Sequence, residues 1–299
     1  MASEGSRVAR QPFANLMRRA MTVLVALVIA RLVLELAGVP QNVTRFVSST
    51  VGLPLVAIYV AAVGPLRGGL RKFSQLFLPA LILSVWTEAC IMVVTIIAAV
   101  LRLSRSHFAE PEDYGNWGHL GRHLLGHTLE AGVFFVVAVL LMGIVHILWR
   151  WPITVAPGAL LGVFVIMRFW TEAMGLEPLR TAAWSSTLLV LLSALYLGGV
   201  GALTGLTRAS QILVPSLVLG WAWRLWVYLA TVFAALVPFF KTHFFNPAQG
   251  EIPMRLARAL VGAIIEGFIA GLLVWGIAVW IAHATHVESA ASPGENAQD

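Results

Sequence analysis

Charged residues are scarce in this chain. Asp, Glu, Lys and Arg make up 11% of its 299 residues, whereas hydrophobic residues make up 59%. A soluble domain normally carries about 25% charged residues, so a soluble fold of this size would lack the polar surface to cover its core. Several apolar runs also reach the roughly 20 residues that a helix needs to cross a bilayer. The composition therefore predicts a polytopic membrane protein.

Cysteine and the common catalytic motifs are also missing or rare. Cys90 is the only cysteine, which excludes an intramolecular disulfide and a cluster of thiolate ligands. The sequence has no P-loop, no G-x-S-x-G, no H-E-x-x-H and no G-x-G-x-x-G after a strand. Its formal charge of +6 is carried largely by arginines that flank apolar runs, where they are expected to meet lipid headgroups. We predict a lipid bilayer as partner, no nucleic acid and no cofactor.

Eight apolar segments are long enough to form membrane helices. They do not alternate as the strands of a β-barrel do, and a helix satisfies its backbone hydrogen bonds within the segment. We predict an all-α fold with eight transmembrane helices, preceded by a basic N-terminal segment at 1–19 and followed by a disordered tail at 287–299. The helices are expected at about 20–38, 48–66, 77–101, 128–149, 157–175, 184–203, 212–240 and 260–282.

The predicted helices form two sets of four. VIARLVLELAG at 28–38 returns as VIMRFWTEAMG at 165–175, and His107-Phe108 returns as His243-Phe244. Matches of charges and of His-Phe in nearly one register indicate an internal duplication, with repeats at 20–151 and 152–286. Four spans bring the chain back to its starting side, so we expect parallel repeats with pseudo-two-fold symmetry along the membrane normal. An interfacial helix is expected at about 116–127 in the first repeat.

The basic residues also suggest a location. Only two of the 20 Lys and Arg residues are lysines, and this bias is typical of GC-rich prokaryotic genomes. Together with the predicted membrane helices, it indicates a protein of a prokaryotic inner membrane. The density of basic residues at 18–19 and 67–72 favours a cytoplasmic N-terminus, because charges near the first span weigh most. A homo-oligomer or a partner within a membrane complex is compatible with the sequence.

Ionisable residues within the apolar runs mark the candidate site, because such residues are expensive in a membrane. Two Arg–Glu pairs have i,i+4 spacing and share a helix face, and a further Glu and Arg occupy equivalent positions in the two repeats, where they are expected to approach each other. We predict that these side chains line a pocket between the repeats through which a small solute or ion moves. The residues are Arg31, Glu35, Glu88, Arg168, Glu172 and Arg224, with Glu130 and Glu266 as secondary candidates near the starts of the fourth spans, where a capping role is the simpler account.

Two alternatives remain open at this level. In the first, the protein is a non-catalytic membrane subunit or scaffold, and its buried ion pairs only hold helices together. In the second, less expected, it is a metal-dependent membrane enzyme that uses His119, His123 and His127, which follow one helical face and precede Glu130. A bound divalent metal ion is expected only in that second alternative. His107 and His243 are interpreted as residues at the membrane edge.

Overall fold

The computed structural model describes residues 4–176, 184–206, 208–236, 242–245 and 251–290, and the side chains among them from residue 12 to residue 284. These residues form helices and connecting turns, and no strand longer than one isolated bridge, between Thr242 and Phe245, occurs in these ranges. The predicted all-α class is therefore confirmed.

Eight long helices follow one another within the described part of the chain. Seven of them, α2 to α8, are long and apolar enough to cross a membrane, which makes the chain a multi-pass membrane protein. The first helix, α1, begins in the polar N-terminal segment, and Arg31 and Glu35 interrupt its apolar half. The helices are α1 (Glu4–Leu36), α2 (Ser49–Arg67), α3 (Phe77–Val100), α4 (Trp117–Leu148), α5 (Val155–Ala173), α6 (Ser186–Leu203), α7 (Ala209–Leu236) and α8 (Ile252–Ala290).

Three boundaries differ from those predicted. The segment 116–127 is not a separate interfacial helix, because α4 runs without a break from Trp117 to Leu148. No proline interrupts that stretch, so each backbone amide keeps its partner four residues earlier. Two other helices are also longer than predicted: α1 begins at Glu4, within the basic segment, and α8 continues through the first four residues of the predicted tail. The rest of that tail lies outside the described residues.

The chain divides into two compact units, residues 1–147 and 148–299. In unit 1, α1 packs against α2 and α3. A cluster of buried side chains joins α1, α3, the connector 101–116 and the start of α4, and includes Val28, Ile91, Phe108 and Leu120. In unit 2, α8 packs along α7 and also contacts α6. Each unit therefore has its own core, and its polar groups find their partners around that core.

Glycines allow α7 and α8 to approach closely in unit 2. A Cβ atom added to Gly220 would meet the carbonyl oxygen of Gly267 and the backbone of Gly271, whose Cα would lie 2.8 Å away. Small residues at such crossings let helix backbones make van der Waals contact, which drives helix association in lipid. Gly276, also on α8, has open space around it.

We expect Gly220→Ala to lower the free energy of unfolding by about 1–3 kcal/mol, because the two helices must separate to admit the methyl group. Gly276→Ala is the matched control and is expected to change stability by less than about 0.5 kcal/mol or to raise it slightly. Thermal unfolding of the purified variants in detergent, followed by circular dichroism, measures both. Equal melting temperatures for the two variants would contradict the close crossing.

Candidate functional site

A buried carboxylate joins three segments of unit 1. Glu35, in the last turn of α1, is only 2% exposed. It accepts hydrogen bonds from Arg31 Nε (3.1 Å), Thr44 Oγ1 (3.2 Å) and the backbone nitrogen of His107 (3.0 Å), and it contacts His107 Nδ1 at 2.7 Å. Arg31 also donates to Ser48 Oγ at 3.3 Å. We call Arg31, Glu35 and His107 the first clasp, because they tie the connector after α3 to the end of α1.

The same residue types make the same contacts in unit 2. Glu172, 7% exposed in α5, accepts from Arg168 Nε at 3.0 Å and from the backbone nitrogen of His243 at 2.9 Å. The His243 ring also contacts the Glu172 carboxylate through Nδ1. Arg168, Glu172 and His243 form the second clasp. The i,i+4 pairs predicted from the sequence are present, but His107 and His243 bind carboxylates, a function that the sequence alone did not indicate.

The environment of His107 keeps its ring neutral. Burial and the nearby Arg31 guanidinium lower the pKa of His107 to about 4, from an ordinary value of 6.5, although the hydrogen bond to Glu35 acts in the opposite direction. A neutral ring with its proton on Nδ1 donates to the Glu35 carboxylate, and the adjacent backbone amide donates as well. The donors around Glu35 favour a structural role for the clasp.

We expect acid to weaken the first clasp. Between about pH 6.5 and 4 the unfolded chain binds a proton at His107 that the folded chain does not, so stability is fully present above 6.5 and falls as the pH drops through this range. The groups that face the ring are Arg31, Glu35 and Arg45. Melting temperatures from pH 7.5 to 4.5 should fall less steeply for His107→Asn, which donates to Glu35 but does not titrate.

The exposed His283 supplies the control, since His283→Asn should leave the slope of the wild type unchanged. If His107→Asn and the wild type lose stability in parallel over this pH range, the ring of His107 is not neutral in the folded protein.

A second polar cluster lies where the connector meets α4. Asp113, whose side chain is fully buried, contacts Nδ1 of His119 at 2.7 Å through one oxygen and Nδ1 of His123 at 2.8 Å through the other. The backbone nitrogen of Glu110 also donates to it, at 2.9 Å. Burial alone would raise the pKa of Asp113, but these hydrogen bonds outweigh burial and lower the pKa below its usual value. Asp113 thus positions both rings through their Nδ1 atoms.

A third cluster lies deeper, between α3 and α4. Nδ1 of His127 is 3.0 Å from Glu88 Oε2 and 3.0 Å from Glu130 Oε2. Glu88 is 1% exposed, and its other oxygen, Oε1, is buried and has no hydrogen-bond partner in the described part of the chain. The rings of His123 and His127 are stacked with their centroids 5.2 Å apart, so the two clusters adjoin. We call Glu88, His127 and Glu130 the Glu–His–Glu cluster.

This cluster lies far from the ends of its helices. Glu88 precedes the end of α3 by 12 residues, and His127 follows the start of α4 by 10 residues. Glu88 therefore lies near the middle of a helix that is long and apolar enough to cross a membrane, where a charged group is costly.

The structure divides the three histidines of the stripe between two clusters. His119 and His123 contact Asp113 through Nδ1, whereas His127 contacts Glu88 and Glu130. Within the described residues, the group of three potential ligands that converges is the Glu–His–Glu cluster. The sequence placed Glu130 on the same helical face as the histidines, but it did not indicate that Glu88, 39 residues before His127, would complete the group.

Unit 2 carries an ion pair at the corresponding sequence positions. Arg224 on α7 contacts Glu266 on α8 with Nη2 and Oε2 2.5 Å apart, and its guanidinium lies over the Trp223 ring at 5.2 Å. Glu266 and Glu130 lie well inside their helices, so neither is a helix cap. Glu88 and Arg224 each find a partner within their own unit, and the bridge expected between them stays a prediction.

No protein-family model, curated protein or solved structure matches this chain.

Proposed function

We propose that this protein is a membrane transporter or channel-like protein that moves a small cation, and that Glu88 is the group that binds the cation. The observation that carries the proposal is the environment of Glu88 near the middle of α3, where its side chain is 1% exposed and Oε1 has no hydrogen-bond partner among the described residues. A carboxylate is costly to bury unless it is paired and fully hydrogen-bonded. Such a residue in a membrane helix is typically functional.

The contrast with the clasps supports this choice among the predicted site residues. Glu35 receives hydrogen bonds from an arginine, a threonine and a backbone amide, and Glu172 from an arginine and a backbone amide. Their geometry favours the structural role that the scaffold hypothesis assigned to the buried ion pairs. Glu88, by contrast, has His127 as its one hydrogen-bond and ion-pair partner among the described residues, and its second oxygen is available to a ligand.

Glu130 extends the proposed binding region to the surface of unit 1. Its side chain is 57% exposed although it lies on a membrane-spanning helix. A carboxylate at such a depth is expected to face protein or water rather than lipid. The proposal therefore includes that the cation reaches the buried Glu88 from the side of α4 that carries Glu130.

The repeat arrangement, the kind of membrane and the orientation are part of the same proposal. Two parallel four-helix repeats in a prokaryotic inner membrane, with the N-terminus in the cytoplasm, would place an acidic centre in one repeat and a basic residue, Arg224, in the other. The clasps support the duplication, because Arg, Glu and His occupy matched sequence positions and make matched contacts in each unit. An arginine disfavours cations, so cation binding is assigned to unit 1.

The proposal predicts a cation current that depends on Glu88. The full chain in liposomes on a solid-supported membrane is exposed to concentration jumps of H⁺, Na⁺, K⁺, Mg²⁺, Mn²⁺ and Zn²⁺, one at a time. We expect charge movement with at least one ion, and a decrease of at least about tenfold in Glu88→Gln, because an amide cannot neutralise a cation.

Glu112→Gln, which removes an exposed carboxylate from the connector, is the matched control and should leave the current unchanged. Gel filtration and circular dichroism establish that each variant is folded. Transport is excluded if none of the ions gives a current, and the role of Glu88 is excluded if Glu88→Gln conducts as the wild type does.

A further inference from the structure

We infer that the Glu–His–Glu cluster is a binding site for a first-row divalent transition-metal ion of the Zn²⁺ or Mn²⁺ type. The inference rests on the proposed function in that it names the class of cation that Glu88 takes. It concerns binding at equilibrium, which is measured without any flux.

The three ligand atoms have the spacing that a metal ion requires. Glu88, His127 and Glu130 each offer one atom, and the three atoms lie within 4.8 Å of one another. Nδ1 of His127 is 3.0 Å from each carboxylate. Ligand atoms at right angles around an ion, each about 2.1 Å from it, are themselves about 3.0 Å apart, so an ion fits among them once the proton on Nδ1 has moved to Nε2 or to solvent.

The charge at the cluster also favours a divalent cation. Two carboxylates face one imidazole, and within the described ranges no Lys or Arg forms an ion pair with Glu88 or Glu130. The unpartnered oxygen Oε1 of the buried Glu88 adds a further potential donor to the metal. A divalent ion would neutralise both carboxylates at a depth where a net negative charge is costly.

The donor set selects the kind of metal. One imidazole nitrogen and two carboxylates suit Zn²⁺, Mn²⁺ and Fe²⁺, whereas Mg²⁺ and Ca²⁺ prefer oxygen alone and Cu⁺ prefers thiolate or thioether. Three protein ligands leave coordination positions for water, which is typical of sites where the ligand set must stay open. An open position is also what an ion needs if it is to leave the site again.

At the corresponding positions of unit 2, an arginine of the chain itself supplies the positive charge. At an offset of 136 residues, Glu88, His127 and Glu130 correspond to Arg224, Ala263 and Glu266. The Arg224 guanidinium contacts Glu266 at 2.5 Å, so a fixed positive charge neutralises the carboxylate there. We therefore expect one metal site per chain, in unit 1.

Equilibrium binding of Zn²⁺ and of Mn²⁺ to the full chain in detergent tests the inference. Isothermal titration calorimetry gives affinity and stoichiometry, and metal analysis after gel filtration counts the bound ion. The wild type should bind one ion per chain. Glu88→Gln, His127→Ala and Glu130→Gln should each weaken binding at least about tenfold, because each removes one of three ligands.

The exposed position of Glu130 keeps the test decisive if a buried variant fails to fold, since Glu130→Gln changes a side chain that is 57% exposed. His283→Ala and Glu112→Gln, which remove an exposed histidine and an exposed carboxylate, are the matched controls and should bind as the wild type does. Absence of binding of both metals, or binding that Glu130→Gln leaves unchanged, would overturn the inference.

The outcomes also separate this inference from the proposed function. One bound ion, lost on changing the cluster, supports the metal site even if liposomes show no current. A current that depends on Glu88 without binding of either metal overturns the metal site and leaves cation transport in place.

Discussion

A carboxylate buried among apolar helices must find its hydrogen-bond donors within the protein, because neither lipid nor bulk water supplies them. Much of the described structure follows from this constraint. Glu35 and Glu172 each bring together a helix end and a connector that comes about 70 residues later in the chain. Asp113 joins the connector to the start of α4, where its partners His119 and His123 come only a few residues later in the chain. The connectors are thus held by the acidic groups that they cover.

The two units meet this constraint differently around their third and fourth helices. In unit 2 the Arg224 guanidinium forms an ion pair with Glu266 through Nη2, while its Nε is buried without a hydrogen-bond partner among the described residues. In unit 1 two carboxylates share one imidazole, and an oxygen of Glu88 remains without a hydrogen bond. Similar sequence positions therefore give an Arg–Glu ion pair in one half and the Glu–His–Glu cluster in the other.

Local patterns in the sequence predicted much of the fold and part of the site. Apolar runs placed the long helices, and i,i+4 spacing paired Arg31 with Glu35, because both depend on residues close in the chain. The boundaries of α4 and α8 were missed since hydropathy marks the apolar part of a helix and not its polar extensions.

Contacts between distant segments could not be predicted in this way. His107 lies 72 residues from Glu35, and Glu88 lies 39 residues from His127. Which side chains meet there depends on how the helices pack and on the path of the connector. Asp113 gave a weak signal, six residues before His119, but its burial depends on the same packing.

The first clasp has a consequence for the order of events during synthesis. Glu35 enters the membrane before His107 exists, and at about 5–20 residues per second the 72 residues between them take roughly 4–14 s to translate. During that interval Arg31, on the same helix, is the partner that is already present. The i,i+4 pair therefore shields the carboxylate in a helix that still waits for its connector. Glu172 and Arg168 stand in the same relation to His243, so in each half of the chain the first counterion of the carboxylate comes from its own helix.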